Sequence, residues 1–266
     1  YDTLRLENLT ISRSSEPAIR MDGAATNVTI DRVTITQSGI YGIEKNAGTV
    51  RNLTVTNSLI SQPAIGGPTL DAVRFEDMGS YSFRDIVIDN VTAVNMTDHG
   101  IRIQQISSQS GNVTILNSTV TGTGNHGFFI ESRGTIRLEN NTATDCGQNH
   151  SGGRGMYLVN PVPDSLITFT NDNRISGSRN GLHLQNFRDV TLQPGTTIRD
   201  NRGLPYQIVD CNNFTLMDTV IDNTGGAFSN GIVTTGTYDN LHLENLTISQ
   251  SSEPEVIVCP CGHDPV

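Results

Sequence analysis

The chain has 266 residues, a formal net charge of −10 and a hydrophobic content of 35%. This hydrophobic content is below the usual globular range, while 17% charged residues are too few for a typical disordered polyelectrolyte. The acidic balance, without a basic stripe, argues against a nucleic-acid partner, and no apolar run approaches the roughly 20 residues that span a bilayer. Such a composition favours a thin core repeated along an axis over one large core.

One sequence template recurs ten times along the chain. Each copy has an apolar-x-apolar strand, a polar turn, a second short strand, a variable loop, and then usually Gly before a third apolar-x-apolar strand. The copies usually lie 23 to 27 residues apart, and their alternation with period 2 directs successive side chains inwards and outwards. The pattern predicts one coil of a β-solenoid per copy. The first strands of the copies lie at 4–6, 28–30, 53–55, 86–88, 113–115, 136–138, 167–169, 190–192, 214–216 and 241–243.

Asparagine stands two residues after the first strand in seven of the ten copies. Asparagine tolerates the left-handed backbone of a sharp turn, and side chains stacked every ~4.8 Å can form a hydrogen-bonded ladder. We therefore expect Asn117 to lie inside its turn, stacked between Asn90 and Asn140, and Asn8 to be buried in the same way. Glycine enters the third strand of most copies, as at Gly127, and suits a tight bend.

These coils, with their asparagine-rich turns, resemble the right-handed parallel β-helix, the pectate-lyase-like architecture. The resemblance covers essentially the whole chain and implies an all-β fold of about ten coils in a single solenoid domain over residues 1–266, roughly 48 Å long at the strand repeat. It implies no single function, because this scaffold carries polysaccharide lyases, epimerases, hydrolases, phage tailspikes, adhesins and purely structural proteins.

The two ends of the sequence are near-duplicates. Residues 1–17 and 238–254 are identical at 14 of 17 positions, at an offset of 237 residues, or nine coils. The chain begins at Tyr1 rather than Met, and neither end carries an amphipathic capping helix. We therefore expect uncapped ends and a processed or excerpted chain, a module of a longer repeat protein or filament. Its partners would be copies of itself or flanking repeats, joined end to end.

Polar residues gather on the outward face of the third strands in coils three to six. With coils ~4.8 Å apart, side chains at equivalent outward positions lie within reach of one another. The inserted loops at 61–71 and 144–154 could wall this face into a groove. The side chains expected on it are Asp71, Arg74, Glu76, His99, Arg102, His126, Glu131, Arg154 and Tyr157.

This set would suit a polysaccharide, as in the lyases and uronan epimerases of this fold. An arginine would pair with a uronate carboxylate, His99 or His126 would remove a proton as general base, and Tyr157 would return one. The alternative is a solvated polar face without chemistry. The residues assigned to catalysis are His99, His126, Tyr157 and Arg102, and those assigned to substrate binding are Asp71, Arg74, Glu76, Glu131 and Arg154.

The sequence indicates no dedicated metal site. Asp71, Glu76 and Asp77 are close in sequence, but Glu76 and Asp77 should point to opposite sides of a strand. We therefore expect no cofactor, with calcium as the alternative. The segment 259–263 has soft ligands but lacks the second pair that a closed zinc site needs. The redox state of the four cysteines stays open; they are Cys146, Cys211, Cys259 and Cys261.

Several turns also contain the N-glycosylation motif Asn-x-Ser/Thr. The repeat itself accounts for this, because its turns commonly have Asn two residues before Thr or Ser. Asn95 and Asn149 are the better candidates for glycosylation, since we expect them in loops.

The sequence favours two candidate functions for the chain. The first is a structural, extracellular or cell-surface solenoid, which the acidic and lysine-poor surface suits. The second is a carbohydrate-active enzyme or a glycan-binding module that uses the outward face of the third strands.

Overall fold

A computed structural model of the chain describes residues 2–62, 70–77, 83–105, 111–162, 165–170, 172–192, 195–222, 231–236, 240–249 and 256–260. Within these ranges the chain forms 30 strands and no helix. The strands assemble into three sheets of ten, and all neighbouring strands for which pairing is resolved run parallel. Each coil contributes one strand to each sheet, so the predicted all-β parallel solenoid of about ten coils is confirmed.

Every third strand along the chain belongs to the same sheet. The first sheet holds β1 (Leu4–Glu7), β4 (Ala25–Asp31), β7 (Val50–Thr56), β10 (Phe83–Asp89), β13 (Val113–Leu116), β16 (Ile136–Glu139), β19 (Ser165–Thr170), β22 (Phe187–Leu192), β25 (Phe214–Met217) and β28 (Leu241–Glu244). The second holds β2 (Thr10–Ser12), β5 (Thr34–Thr36), β8 (Leu59–Ser61), β11 (Thr92–Val94), β14 (Thr119–Thr123), β17 (Thr142–Cys146), β20 (Arg174–Ser176), β23 (Thr197–Arg199), β26 (Val220–Asp222) and β29 (Thr247–Ser249). The third holds β3 (Ile19–Met21), β6 (Tyr41–Lys45), β9 (Asp71–Glu76), β12 (Ile101–Gln105), β15 (Phe128–Ser132), β18 (Arg154–Val159), β21 (Asn180–Gln185), β24 (Tyr206–Val209), β27 (Ile232–Gly236) and β30 (Val256–Pro260).

The core is a column of apolar side chains enclosed by the three sheets. In β13, Val113 and Ile115 are fully buried while Thr114 between them faces outwards, as the period-2 alternation predicts. The pairing register places Val113 opposite Ile136 of the next coil. Equivalent apolar side chains of successive coils therefore pack on each other along the axis. The core layer of each coil is covered by the layers of the two neighbouring coils.

The predicted asparagine ladder forms in part, on the outside of the solenoid, with Asn140 bonded to Asn117 but Asp89 in the place expected for Asn90. Asn117 is exposed, and its side-chain amide donates to Asp89 (2.8 Å) and accepts from Asn140 (3.2 Å). Asn8 is exposed as well, so the expectation that these residues are buried was wrong. The expected backbone is present: Asn117 has φ of 49° and Asn140 of 53°. The left-handed turn carries the side chain outwards, and the following residue takes the inward place.

A second ladder, one residue further along, fills the inner corner between the first and second sheets. Ser118, Asn141 and Asn173 are completely buried there. The Asn141 side-chain oxygen accepts from the backbone N–H of Ser118 (3.0 Å), and its amide nitrogen donates to the carbonyl of Ile115 (2.8 Å). Asn173 in turn accepts from the backbone N–H of Asn141 (3.1 Å). Backbone groups that the turn removes from the sheets are thus satisfied by side chains.

The bend before the third sheet requires glycine, because neighbouring atoms leave no space for a Cβ atom. A Cβ on Gly127 would lie 2.6 Å from the carbonyl oxygen of Gly155 and 2.8 Å from Sγ of Cys146. Cys146 and Cys211 are buried free thiols, and burial raises the pKa of each to about 11. They are therefore protonated and unreactive at neutral pH. Cys261 and the side chain of Cys259 lie outside the described part of the chain.

The duplicated end segments occupy equivalent places in the first and tenth coils. β1 and β2 come from the first segment, and β28 and β29 come from the second; residues 250–254 are not described. Among the residues that are described, no helix is long and apolar enough to cross a membrane.

Candidate functional site

The outward face of the third sheet, from β9 to β24, is called the ridge. Pairing of these strands aligns Arg74 with Arg102, and Arg102 with Phe129. The same row continues through Tyr157 and His183. A second outward row, two residues further along each strand, runs through Glu76, Gln104, Glu131, Val159 and Gln185.

Aromatic rings form a continuous row along the ridge. The ring centroids of His99 and His126 are 5.3 Å apart, those of His126 and Tyr157 are 4.8 Å apart, and those of Tyr157 and His183 are 4.6 Å apart. Phe129 packs beside this row, 5.3 Å from both His99 and Tyr157. The histidines are almost fully covered, whereas Phe129 and Tyr157 remain half-buried. The ring surface open to a ligand therefore belongs mainly to these two residues.

The end of the ridge at β9 and β12 is a closed network of charges. Arg74 pairs with Glu44 (3.5 Å) and with Glu76, and its guanidinium lies 4.4 Å from the centroid of the Tyr41 ring. Arg102 pairs with the same Glu76 at 2.6 Å. Both arginines are thus neutralised by carboxylates of the chain itself.

Glu131 lies next to this network, in the second outward row, and is half-buried. Its carboxylate accepts a hydrogen bond of 2.7 Å from the side chain of Gln104. A neutral partner leaves the negative charge of Glu131 in place on the ridge.

Asp71, Asp98 and His99 form a compact cluster at the edge of the ridge. Nδ1 of His99 lies 3.1 Å from a carboxylate oxygen of Asp71 and 3.1 Å from one of Asp98. Asp71 is 1% exposed and also accepts the backbone N–H of His99 at 2.9 Å. Burial by itself lowers the pKa of His99, but the hydrogen bonds to the two carboxylates outweigh it, so the pKa is raised above its ordinary value.

His126 and His183, by contrast, are held neutral. Burial, and then the positive charges of His99 and Arg154, lower the pKa of His126 to about 2. Nδ1 of His126 accepts the backbone N–H of Arg154 at 3.1 Å, so its single proton sits on Nε2. Burial and Arg154 lower the pKa of His183 to about 4, and its Nδ1 lies 3.0 Å from the side-chain oxygen of Gln207.

Arg154 lies over the middle of the aromatic row with neutral partners. Its guanidinium donates to the carbonyl of Gly152 (2.8 Å) and to the side-chain oxygen of Gln207 (2.9 Å), and it lies 5.0 Å from the centroid of the Tyr157 ring. Among the described residues it has no ion-pair partner, in contrast to Arg74 and Arg102. Burial lowers its pKa, but a guanidinium stays charged in proteins, so Arg154 keeps its charge.

The nine predicted ridge residues do lie along one face, but they divide into three groups. Arg74, Glu76 and Arg102 form the ion-pair network with Glu131 beside it, Asp71 and His99 form the cluster with Asp98, and His126, Tyr157 and Arg154 form the aromatic part. Sequence reasoning left out Phe129, Asp98 and His183. Phe129 and His183 occupy the position equivalent to Tyr157 in the preceding and the following coil. The alignment of coils that identified Tyr157 could therefore have identified both.

Calcium at Asp71, Glu76 and Asp77 stays a prediction, and the described contacts show where each carboxylate lies. Glu76 is taken up by the two arginines, Asp77 is buried, and Asp71 is turned to His99.

The structure describes parts of both predicted wall loops and both predicted glycosylation positions. Of the loop 61–71, residues 63–69 are outside the described part; the other loop runs from β17 to β18 and ends at Arg154. Asn149 is exposed in that loop. Asn95 is half-buried, and its side-chain nitrogen donates to the carbonyl of Gln62 at 3.1 Å. Both remain predicted positions, and the accessibility of Asn149 is the greater.

Three ten-stranded parallel sheets around one apolar column define a parallel β-helix. The family model described as "Right handed beta helix region" matches residues 2–161, which is more than half of the chain. The chain therefore belongs to the right-handed β-helix family. No curated protein and no solved structure matches the chain with significant similarity.

Proposed function

We propose that this β-solenoid binds an acidic polysaccharide along the ridge, and that Arg154 pairs with a carboxylate of the ligand. The observation that carries this proposal is the row of aromatic rings with a charged, partly buried guanidinium over it that has no carboxylate partner among the described residues. A sugar ring presents C–H groups that pack on an aromatic face, and a guanidinium binds a planar carboxylate through two parallel hydrogen bonds.

The charges on the ridge support Arg154 over the other two arginines. Arg74 and Arg102 already neutralise Glu76, so a ligand carboxylate would have to displace an existing ion pair. Arg154 would exchange a neutral glutamine oxygen for a carboxylate, which adds the attraction of opposite charges and allows a bidentate pair.

The state of the histidines supports binding over catalysis. The Nδ1 lone pair of His126 is occupied by a backbone N–H, and its low pKa makes it a poor base. The raised pKa of His99 favours a proton already in place between two carboxylates, which suits a proton donor better than a base. A lyase or epimerase acting here remains the alternative, with His99 and Tyr157 as its proton-transfer residues.

The test is binding of polyuronates, with a neutral glucan for comparison, by isothermal titration of the full chain. Arg154→Gln should weaken polyuronate binding by about 10- to 100-fold, the value of one charge-assisted pair. Arg154→Lys should restore it only in part, because lysine lacks the planar fork. Arg137→Gln, which removes an exposed arginine of β16 on another face, is the matched control and should change nothing.

Two results would count against this function: equal affinity of the parent and Arg154→Gln, or a preference for the neutral glucan. Ultraviolet absorbance in the same mixtures detects unsaturated chain ends. If such ends appear and vanish in His99→Ala with the fold intact, the ridge is catalytic and the lyase alternative replaces binding.

A second candidate, a structural module at the cell surface or outside the cell, is favoured by the duplicated segments. They fill equivalent strands of the first and tenth coils, so a nine-coil unit could recur with the sheets in register. Stacked units would continue each sheet at ~4.8 Å per coil. Electron microscopy tests this candidate, with the variants given in the Discussion.

A further inference from the structure

We propose that Asp71, Asp98 and His99 form a binding site for a divalent transition-metal ion such as Zn²⁺ or Mn²⁺, held by one oxygen of each carboxylate and by Nδ1 of the imidazole. These three ligand atoms lie within 4.8 Å of one another. They come from two neighbouring coils, so the parallel register of β9 and β12 determines their approach.

The distances within the cluster suit a metal ion. Nδ1 of His99 is 3.1 Å from each of the two carboxylate oxygens. Two ligand atoms that bind one metal ion at ~2.1 Å and at right angles to each other are about 3.0 Å apart. A single imidazole proton can be shared between the two oxygens only as a long, bifurcated hydrogen bond. A metal ion between the three atoms could instead form a coordination bond to each of them.

The buried carboxylate of Asp71 favours a bound cation. Its side chain is 1% exposed, and its Oδ1 lies 2.9 Å from the backbone nitrogen of His99 and 3.1 Å from Nδ1 of the same residue. Asp98 adds a second carboxylate, so even a protonated His99 leaves a net negative charge in the cluster. Buried charge of this kind is normally compensated by a counter-ion or a metal ion.

The ligand types select the class of metal. One imidazole and two carboxylates suit Zn²⁺ or Mn²⁺, whereas Ca²⁺ prefers six to eight oxygen ligands. The side chain of Asp98 is 30% exposed, so water can reach the cluster from that side and complete the coordination. The other charged or titratable groups facing the cluster are Arg102, whose charge acts on Asp98, and His126, whose ring packs on His99.

The experiment is titration of the EDTA-treated full chain with Zn²⁺ and, separately, Mn²⁺, by calorimetry. We expect one ion per chain, with binding weakened at least tenfold in both Asp98→Asn and His99→Gln. Asp98 is half-buried, so Asp98→Asn should fold, and circular dichroism verifies this for each variant. The matched control is His242→Gln, which removes an exposed histidine that lies 2.9 Å from Glu244; it should leave the tight site unchanged.

The proton balance gives a second readout. The metal ion replaces the Nδ1 proton of His99, so titrations in buffers of different ionisation enthalpy should show release of about one proton below neutral pH. Absence of a one-to-one site, unchanged affinity in Asp98→Asn, or tighter binding of Ca²⁺ than of Zn²⁺ and Mn²⁺ would overturn the proposal. None of these results bears on polysaccharide binding, which Arg154→Gln tests separately.

Discussion

At the residue scale, the ridge holds histidines of opposite character side by side. His99 is clamped between two carboxylates and takes a proton readily, whereas the ring stacked on it, His126, is kept neutral by burial and by neighbouring positive charge. His183 at the other end of the row is neutral for the same reasons. Protonation of a ring in this row is therefore favoured at His99, and the neutral rings of His126 and His183 pack with Tyr157.

This difference predicts that the protein loses stability as the pH falls below 6.5. His126 and His183 have folded-state pKa values of about 2 and about 4, below the unfolded value of 6.5, so the unfolded state binds more protons. Each histidine then costs about 1.4 kcal/mol of unfolding free energy per pH unit. His99, whose pKa is raised, opposes this slope near pH 6.5 and adds nothing well below it, where its imidazole is protonated in both states.

The measurement is urea unfolding at pH 6.5, 6.0, 5.5 and 5.0, above the ordinary pKa values of aspartate and glutamate side chains. The variant His183→Gln removes one titrating group and should reduce the slope by about half. His150→Gln, at an exposed loop position, is the control and should keep the parent slope. A flat profile for the parent protein would contradict the neutral state assigned to the two buried histidines.

At the element scale, the corner between the first and second sheets has two side-chain ladders that contribute unequally to stability. The outer ladder, with Asn117 and Asn140, lies in solvent and serves the left-handed turn. The inner ladder, with Asn141 and Asn173, replaces backbone partners that the chain loses where it leaves one sheet for the next. Water can substitute for the first set of hydrogen bonds and not for the second.

The variants Asn141→Ala and Asn140→Gly compare the two ladders at neighbouring positions. Asn141→Ala removes the partner of the buried N–H of Ser118 and the hydrogen bond to the carbonyl of Ile115, which together should cost about 2–4 kcal/mol of unfolding free energy. Asn140→Gly keeps the positive φ and loses an exposed hydrogen bond, so its cost should stay below about 1 kcal/mol. Equal costs in urea unfolding would show that the inner ladder has no special role.

At the scale of the whole molecule, stability and assembly follow from stacking. Each coil contacts its neighbours through parallel pairing in all three sheets, so the same interactions could continue into another copy or a flanking repeat. The first coil presents Leu4, Leu6 and Ile11, which are only partly buried and pack on the core. The equivalent positions in the tenth coil are Leu241, Leu243 and Ile248.

The structural candidate predicts end-to-end fibres of single-solenoid width in electron micrographs of the concentrated protein. Leu6→Lys should abolish them, because it places a charge in the apolar layer that a neighbouring copy would cover. Arg5→Lys, on the outward face of the same strand, should leave them unchanged. Single, unassembled solenoids at every concentration would count against this candidate and leave the glycan-binding function in place.

The sequence determined the coil, the three strands of each coil and the direction of most strand side chains. Apolar residues at alternate positions, as at Val113 and Ile115, can be buried only on one face of a strand, and this local rule held in strands such as β13, β15 and β25. The same rule gave the outward rows of the ridge. It failed at the corners, where a left-handed residue interrupts the alternation, and this is why Asn117 lies outside and Ser118 inside.

Only the tertiary structure decided how the ridge residues combine. The sequence treats Arg74, Arg102 and Arg154 alike, but contacts between coils neutralise the first two and leave the third with neutral partners. It also placed Asp71 and His99 on one face of neighbouring coils, but the contact of the Asp71 carboxylate with Nδ1 of His99 depends on how the two coils pack. Pairing partners and pKa values depend on distances across coils and on burial, and both are properties of the stacked solenoid rather than of any one strand.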